Sequence, residues 1–232
     1  MGMLDDVRRR DPDGLHRFLW SNHLAYAATY QVRKRFGASN INPTRHLLFQ
    51  DIVARLAAGG LDASAVGSVF EVGCSMGYLL RHLETDVFPG AAVLHGLDID
   101  RPAVEAGSAH LRSLESRVRL FAADLDETER IMSEREYDLV LCCGVLMYVN
   151  EQAAAQLVRT MLSRARRMVG LICLAHPEGQ AAGSEMRATD GTFIHDVDGM
   201  IREANGRLVS SKWVGTEISG SSPSCVIVAE RG

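Results

Sequence analysis

Residues able to do chemistry fall in four short segments in the middle of this 232-residue chain. Glu71 sits in an apolar run, Val69-Phe70-Glu71-Val72, and the turn Gly73-Cys74-Ser75-Met76-Gly77 follows before an apolar-periodic stretch starts at Tyr78. Asp98 closes a second run, His95-Gly96-Leu97, and Asp124 follows a third, Leu120-Phe121-Ala122. The fourth, Tyr137-Asp138-Leu139-Val140-Leu141-Cys142, turns at Cys143-Gly144 and ends in Leu146-Met147-Tyr148. A glycine-bounded turn between a strand and a helix lets backbone approach a nucleotide-like ligand, because Gly73 and Gly77 tolerate positive φ and carry no side chain. A carboxylate at a strand end can accept paired hydrogen bonds from the vicinal hydroxyls of a ribose.

Such segments must be held by strands with helices between them. Apolar runs predict strands at Ser68–Val72, Ala92–Leu97, Val118–Ala122, Asp138–Cys142, Met168–Leu174, Arg207–Val214 and Cys225–Ala229. Helical patterns separate the first five, over Tyr78–Thr85, Pro102–Leu114, Glu127–Met132 and Glu151–Ala165. Continuous apolar strands alternating with helices imply a parallel sheet covered on both faces. The last two strands are joined by a loop with Gly215, Gly220 and Pro223, too short for a crossover helix, so they pair antiparallel. Asp100 is placed to cap the helix beginning at Pro102. Residues 1–60 read as helical and 61–232 as the sheet-bearing core. Ser21 is a candidate N-cap within the helical segment, Thr44 is another, and Gly59-Gly60 stops the helix that Thr44 begins.

The turn has the form E-x-G-x-S-x-G. A dinucleotide fingerprint would need glycine at 75 and 78, where Ser75 and Tyr78 stand, which sets a nicotinamide-dependent oxidoreductase aside. The turn instead resembles motif I of class I S-adenosylmethionine-dependent methyltransferases, (D/E)-x-G-x-G-x-G, with Ser75 at the middle glycine. The fourth segment resembles that family's (F/Y)-D-(L/V)-V strand, small-residue turn and L-x-(H/Y). The resemblance covers roughly residues 65–232. It implies an α/β, Rossmann-like, seven-stranded and mostly parallel sheet with an antiparallel C-terminal hairpin, to which the N-terminal helices add a cap. It also implies S-adenosylmethionine as cofactor. By the same resemblance, Gly73, Cys74, Ser75 and Gly77 surround the methionine portion and Glu71 reaches its amino group, directly or through water. Asp98 takes the ribose and Ile99 flanks the adenine. Asp124 accepts from the adenine amino group, with the Leu125 amide on the ring. Cys143 and Gly144 lie against the sulfonium, and Tyr148 faces the active site. The helical segment would act as a lid carrying Trp20, His23, Tyr26, Tyr30 and Arg45, and Tyr30 or Arg45 is placed to clamp the cofactor carboxylate.

Methyl transfer from a sulfonium asks mainly for positioning and desolvation, with a base where the acceptor begins protonated. His176, after the fifth strand, has the pKa range for that task, and Tyr148 can orient an acceptor. His195 precedes a helix and reads equally as a helix-entry residue. Residues 176–191, rich in Gly and Ala, read as a mobile substrate loop. No N-P-P-Y or D-P-P-Y tetrapeptide follows the fourth strand, which argues against methylation of DNA-base or glutamine amino groups. No metal triad is evident, and none of the five cysteines shows C-x-x-C spacing, so buried thiols in a reducing cytoplasm are expected. Net charge −4 gives no pull toward nucleic acid, and no apolar run reaches membrane-spanning length. The reading is a small-molecule N- or O-methyltransferase. Methylation of a protein or tRNA, and cofactor binding without catalysis, remain the alternatives.

Overall fold

The computed structural model describes residues 7–8, 10–25, 32–37, 41–133, 135–176, 183–187, 189–220 and 222–232. Among the described residues, the helices ahead of the sheet include α1 (Pro12–Ser21), the single turn α2 (Val32–Arg35) and α3 (Pro43–Ala58). Asp11 caps α1 by accepting from the Gly14 amide, and Asn42 caps α3 by accepting from the Arg45 amide at 3.0 Å. Ser21 is therefore the last residue of α1 and not a cap. Thr44 lies inside α3, its hydroxyl donating to Asn42 Oδ1 at 2.8 Å. The reason is the same at both helices: proline sets φ for the first helical position, so the polar residue just before it becomes the cap.

The sheet alternates as expected through β1 (Ser68–Val72), α4 (Tyr78–His82, continued by a wide turn to Val87), β2 (Val93–Asp98), α5 (Arg101–Ser113), β3 (Val118–Ala122), α6 (Thr128–Met132), β4 (Tyr137–Cys143), α7 (Glu151–Arg164) and β5 (Ala165–Leu174). A short hairpin, β6 (Glu185–Met186) with β7 (Phe193–Ile194), precedes α8 (Val197–Glu203), β8 (Gly206–Val214), the turn α9 (Thr216–Ser219) and β9 (Ser224–Arg231). Strand order is β3-β2-β1-β4-β5-β9-β8, with β9 antiparallel to both neighbours and the other pairs parallel. β5 begins three residues before its apolar run, at Ala165 rather than Met168. Arg166 and Arg167 extend it because both reach the buried Asp138 carboxylate, at 3.2 and 3.4 Å. The other oxygen of Asp138 accepts from the Gly67 and Ser68 amides, locking the entry of β4 to that of β1.

Each face of the sheet carries its own core. Leu48 and Ile52 of α3 join Leu79, Leu80 and Leu111 on one face, while Leu157, Val158, Met161 and Ile201 fill the other. Gly170 lets α3 come close: a Cβ there would stand 3.2 Å from both Leu48 and Ile52. α3 is thus part of the core layer, and α1 is the N-terminal helix that meets the turn after β4, through Trp20 and His16 on Tyr148, each pair 5.1 Å between centroids. Among the described residues no helix is long and apolar enough to cross a membrane.

Gly107 fixes α5 against the turn after β1, since a methyl there would lie 2.2 Å from the Met76 carbonyl oxygen. Gly→Ala inside a helix ordinarily gains up to ~1 kcal/mol in propensity. Here Gly107→Ala is expected to cost ~1–3 kcal/mol instead, the range for overpacking. Urea unfolding measures it, and a stabilised variant would mean the turn is not held by α5.

Candidate functional site

The turn after β1 is built on two backbone anchors and one side chain. The Gly73 and Cys74 amides both donate to the Leu97 carbonyl, at 2.8 and 3.0 Å. Gly73 has φ 74° and a Cβ there would strike Val145 at 2.0 Å, so the position admits glycine alone. Ser75 also adopts a left-handed φ, 51°, which costs a non-glycine residue about 1–2 kcal/mol. Its amide donates to Asp98 Oδ2 at 2.7 Å, and Asp98 Oδ1 accepts from the Asp100 amide at 2.9 Å. Burial pushes the Asp98 carboxyl up to about 6 in spite of those donors. Asp100 caps α5 through the Ala103 amide and also meets His23 Nδ1 at 2.7 Å. Glu71 is buried, its Oε2 has no hydrogen-bond partner, and burial pushes it up to about 8 against the opposing charge of Arg45.

A cavity of about 820 Å³ opens over the C-terminal ends of the parallel strands. Asp98, Ile99, Asp124 and Leu125 line it at the ends of β2 and β3. Cys143, Gly144 and Tyr148 line it after β4, and Ile172, Leu174 and the serines at 219, 222 and 224 do so toward β9. Gly144 has φ 81° and nothing within 4 Å of where a Cβ would sit, so the wall stays open there. α1 covers the cavity with His16, Arg17 and Trp20, and Arg35, Arg45 and Tyr78 line it from α2, α3 and α4. Arg17 reaches Asp124 Oδ2 at 2.5 Å and Asp126 at 3.3 Å. Asp124 Oδ1 accepts from the Leu125 amide at 2.6 Å, so the amide expected on an adenine ring has a partner within the chain. Glu71, Cys74 and Gly77 are not among the residues lining the cavity.

Comparison with known proteins finds a family model over the site. Residues 70–169, which hold the turn, Asp98, Asp124 and the β4 segment, match the model of a methyltransferase domain. That span carries a methyltransferase domain and is similar to the class I S-adenosylmethionine-dependent methyltransferases. Its fold is similar to the magnesium protoporphyrin IX methyltransferase of Synechocystis PCC 6803, crystallised with S-adenosylhomocysteine: 18% identity over 96% of this chain and 100% of that one, TM-score 0.66. It is similar also to the 1,6-didemethyltoxoflavin-N1-methyltransferase of Burkholderia thailandensis, at 15% identity, 93% and 89% coverage and TM-score 0.65. A third likeness is to the O-methyltransferase of a trans-AT PKS multienzyme of Brevibacillus brevis, at 14% identity, 91% and 79% coverage and TM-score 0.64. Comparison of the sequence with curated proteins finds no match.

In this methyltransferase the two expected catalytic side chains part company. Tyr148 lines the cavity, packed edge-on to Trp20. His176 does not line it; its Nε2 stands 3.7 Å from Glu185, and its backbone carbonyl accepts from the Trp213 indole at 2.9 Å. His195, legible in the sequence only as a helix-entry residue, is a buried tie. Its Nε2 lies 3.0 Å from both the Leu146 and the Val149 carbonyls and so donates to them, while Nδ1 accepts from the Ser184 hydroxyl at 3.0 Å. Burial lowers its pKa, keeping this tautomer neutral under the turn that presents Met147 and Tyr148. Burial likewise pushes Cys142 up to about 12 and Cys143 well above its ordinary value, leaving both as neutral thiols. Sequence reasoning missed Arg17 and His16, although the Asp11-Pro12 cap was a readable sign of the helix bearing them. Tyr26 and Tyr30 lie outside the described residues, and within 176–191 the described part includes β6, which pairs with β7 just beyond the segment. Among the described residues no group of three His, Cys, Asp or Glu side chains is placed to hold a metal ion.

Glu71 gives a pH-dependence with a definite sign. Its folded pKa of about 8 stands above the ordinary 4.5, so the stability it contributes is present below 4.5 and is lost as pH rises through 8. Glu71→Gln removes that loss, and its gain in Tm over the wild type is expected to grow steadily across that interval. A Tm difference independent of pH would mean that Glu71 is already ionised in the free protein.

Proposed function

We propose that this methyltransferase moves the methyl group of S-adenosylmethionine to nitrogen or oxygen of a small molecule. The observation that carries the reading is one cavity, covered by α1, running from the ends of β2 and β3 past Gly144 to β9. It lies near the top of the size range for small-ligand sites, with room for a nucleoside cofactor and a second compound together. The names of the similar structures point the same way, to a porphyrin, a toxoflavin precursor and a polyketide system.

The residues present fit the cofactor. The orphaned oxygen of Glu71 is a buried acceptor suited to an ammonium, directly or through water. Asp98 keeps lone pairs for two ribose hydroxyls beyond the two amides it already accepts. Ile99 and Leu125 offer apolar faces to a base, and Arg45 offers a guanidinium to a carboxylate. Arg17 shares Asp124 with whatever amino group binds there, which makes its ion pair the contact that must yield or rearrange. When bound, S-adenosylmethionine supplies an activated methyl group for in-line displacement. The chain's own part is positional. Gly144 leaves space for the attacking atom, Trp20 and His16 exclude water, and Tyr148 orients the acceptor by its ring face or hydroxyl. His176 lies outside the cavity and is assigned no part in the transfer. We propose α1 as the lid, in place of the whole of residues 1–60. The five free thiols, four of them buried, support residence in a reducing cytoplasm.

Calorimetric titration with S-adenosylmethionine and S-adenosylhomocysteine, with NAD as control, tests the cofactor. Asp98→Ala is expected to weaken both sulfur ligands by ~1.5–3 kcal/mol through loss of charge-assisted bonds. Wild-type affinity in that variant would remove the ribose assignment.

A further inference from the structure

Two polar side-chain ties strap α1 across the mouth of the cavity. In the first turn of α1, Asp13 accepts from the side chain of Asn150, which is itself fixed by capping α7 through the Ala153 amide at 3.0 Å. One turn later Arg17 crosses to the end of β3. There a single nitrogen, Nη2, stands 2.5 Å from Asp124 Oδ2 and 3.3 Å from Asp126 Oδ2. All five residues line the cavity, so the strap and the wall it grips belong to one site.

The two carboxylates that share Arg17 are not equivalent. Asp124 is 22% exposed and Asp126 is 69% exposed, so one belongs to the wall and the other to its rim. Their spacing is preset by the turn Leu125–Glu127, which Asp124 caps and Glu127 closes by accepting from the Asp124 amide. Asp124 Oδ1 already takes the Leu125 amide, so a further donor comes to Oδ2, where the guanidinium sits. The amino group of an adenine is neutral, and a charge-assisted bond from a guanidinium is stronger than any it can offer. Such a group gains Oδ2 only if the guanidinium keeps a carboxylate after leaving. Asp126 is that carboxylate. It already faces the same nitrogen, so a small rotation of the guanidinium exchanges one partner for the other while α1 stays tied.

Resting on the reading of Asp124 as the acceptor for the adenine amino group, we propose that Arg17 is a built-in competitor for the cofactor. It holds Asp124 when the site is free and passes to Asp126 when an adenine binds. Cofactor affinity is then set partly by the lid, and Asp126, which touches no cofactor, tunes it by receiving the displaced guanidinium.

The test is calorimetric titration with S-adenosylhomocysteine of the wild type, Arg17→Met, Asp126→Asn and the double variant. Arg17 and Asp126 are both more than half exposed, and Tm is expected to stay near the wild-type value in all three variants. Arg17→Met should bind about two- to fivefold more tightly than the wild type, the range an exposed ion pair is worth. That gain should shrink as salt is raised. Asp126→Asn should weaken binding by a similar factor, because Arg17 is then left with Asp124 alone. In the Arg17→Met background the Asp126 substitution should have no effect. A strap that merely loosens as ties are lost would move both single variants in the same direction, so their opposite signs identify the exchange. Unchanged or weaker binding in Arg17→Met overturns the proposal, as does unchanged or tighter binding in Asp126→Asn, or an Asp126 effect that persists without Arg17. Failure of the wild type to bind S-adenosylhomocysteine, measured first, strikes the cofactor reading itself and is distinct from these.

Discussion

Asp98 accepts hydrogen bonds from two amides that belong to different turns, Ser75 after β1 and Asp100 after β2. Through the first it holds a serine in the left-handed conformation that a glycine would adopt freely. Through the second it sets Asp100 where it caps α5 and meets His23. One carboxylate thus fixes the shape of the turn after β1, the start of the next helix and an anchor for the segment after α1. Burial makes its charge costly, which the raised pKa records, and the amides offset that cost. Hydrogen bonds to a charged group are stronger than neutral ones, and this lets a strained turn persist without its middle glycine.

Around that centre the cover of the cavity is tied down by a few bonds between parts distant in sequence. His16 of α1 meets the Gly191 carbonyl at 3.2 Å, and Arg8 donates to the Thr189 carbonyl. The β6–β7 hairpin in turn reaches the Leu146–Tyr148 turn through His195. α1, hairpin and cavity wall therefore form one connected layer on top of the sheet. It rests on polar ties and a few ring contacts, whereas the sheet below is held by two apolar cores. Elements of that kind open at lower free energy than the core.

Much of the architecture was legible because a parallel strand buried on both faces must be apolar throughout, and glycine or an acid at its end marks a ligand-facing turn. β1 and β3 sit where their apolar runs begin and end. Where a strand is extended by paired charges, as at Arg166 and Arg167, hydropathy gives no sign of it, since the partner Asp138 lies on another strand. Cap positions at Asp11 and Asn42 were readable from the prolines that follow them, while Ser21 and Thr44 satisfied only the looser preference for a small polar residue.

The sequence by itself determined the order of strands and helices, the place of the glycine turn and the acids at successive strand ends. All of these follow from local periodicity and residue type. Which histidine does what was left to the tertiary structure. His176 and His195 both stand beside regular elements, and only the packing of the β6–β7 hairpin buries one and leaves the other partly exposed. The Arg17 contact with Asp124 and the meeting of Arg35 and Arg45 over Tyr78 are likewise tertiary. Such contacts join residues tens of positions apart, and no local preference encodes them; they exist because separate helices are packed against one sheet.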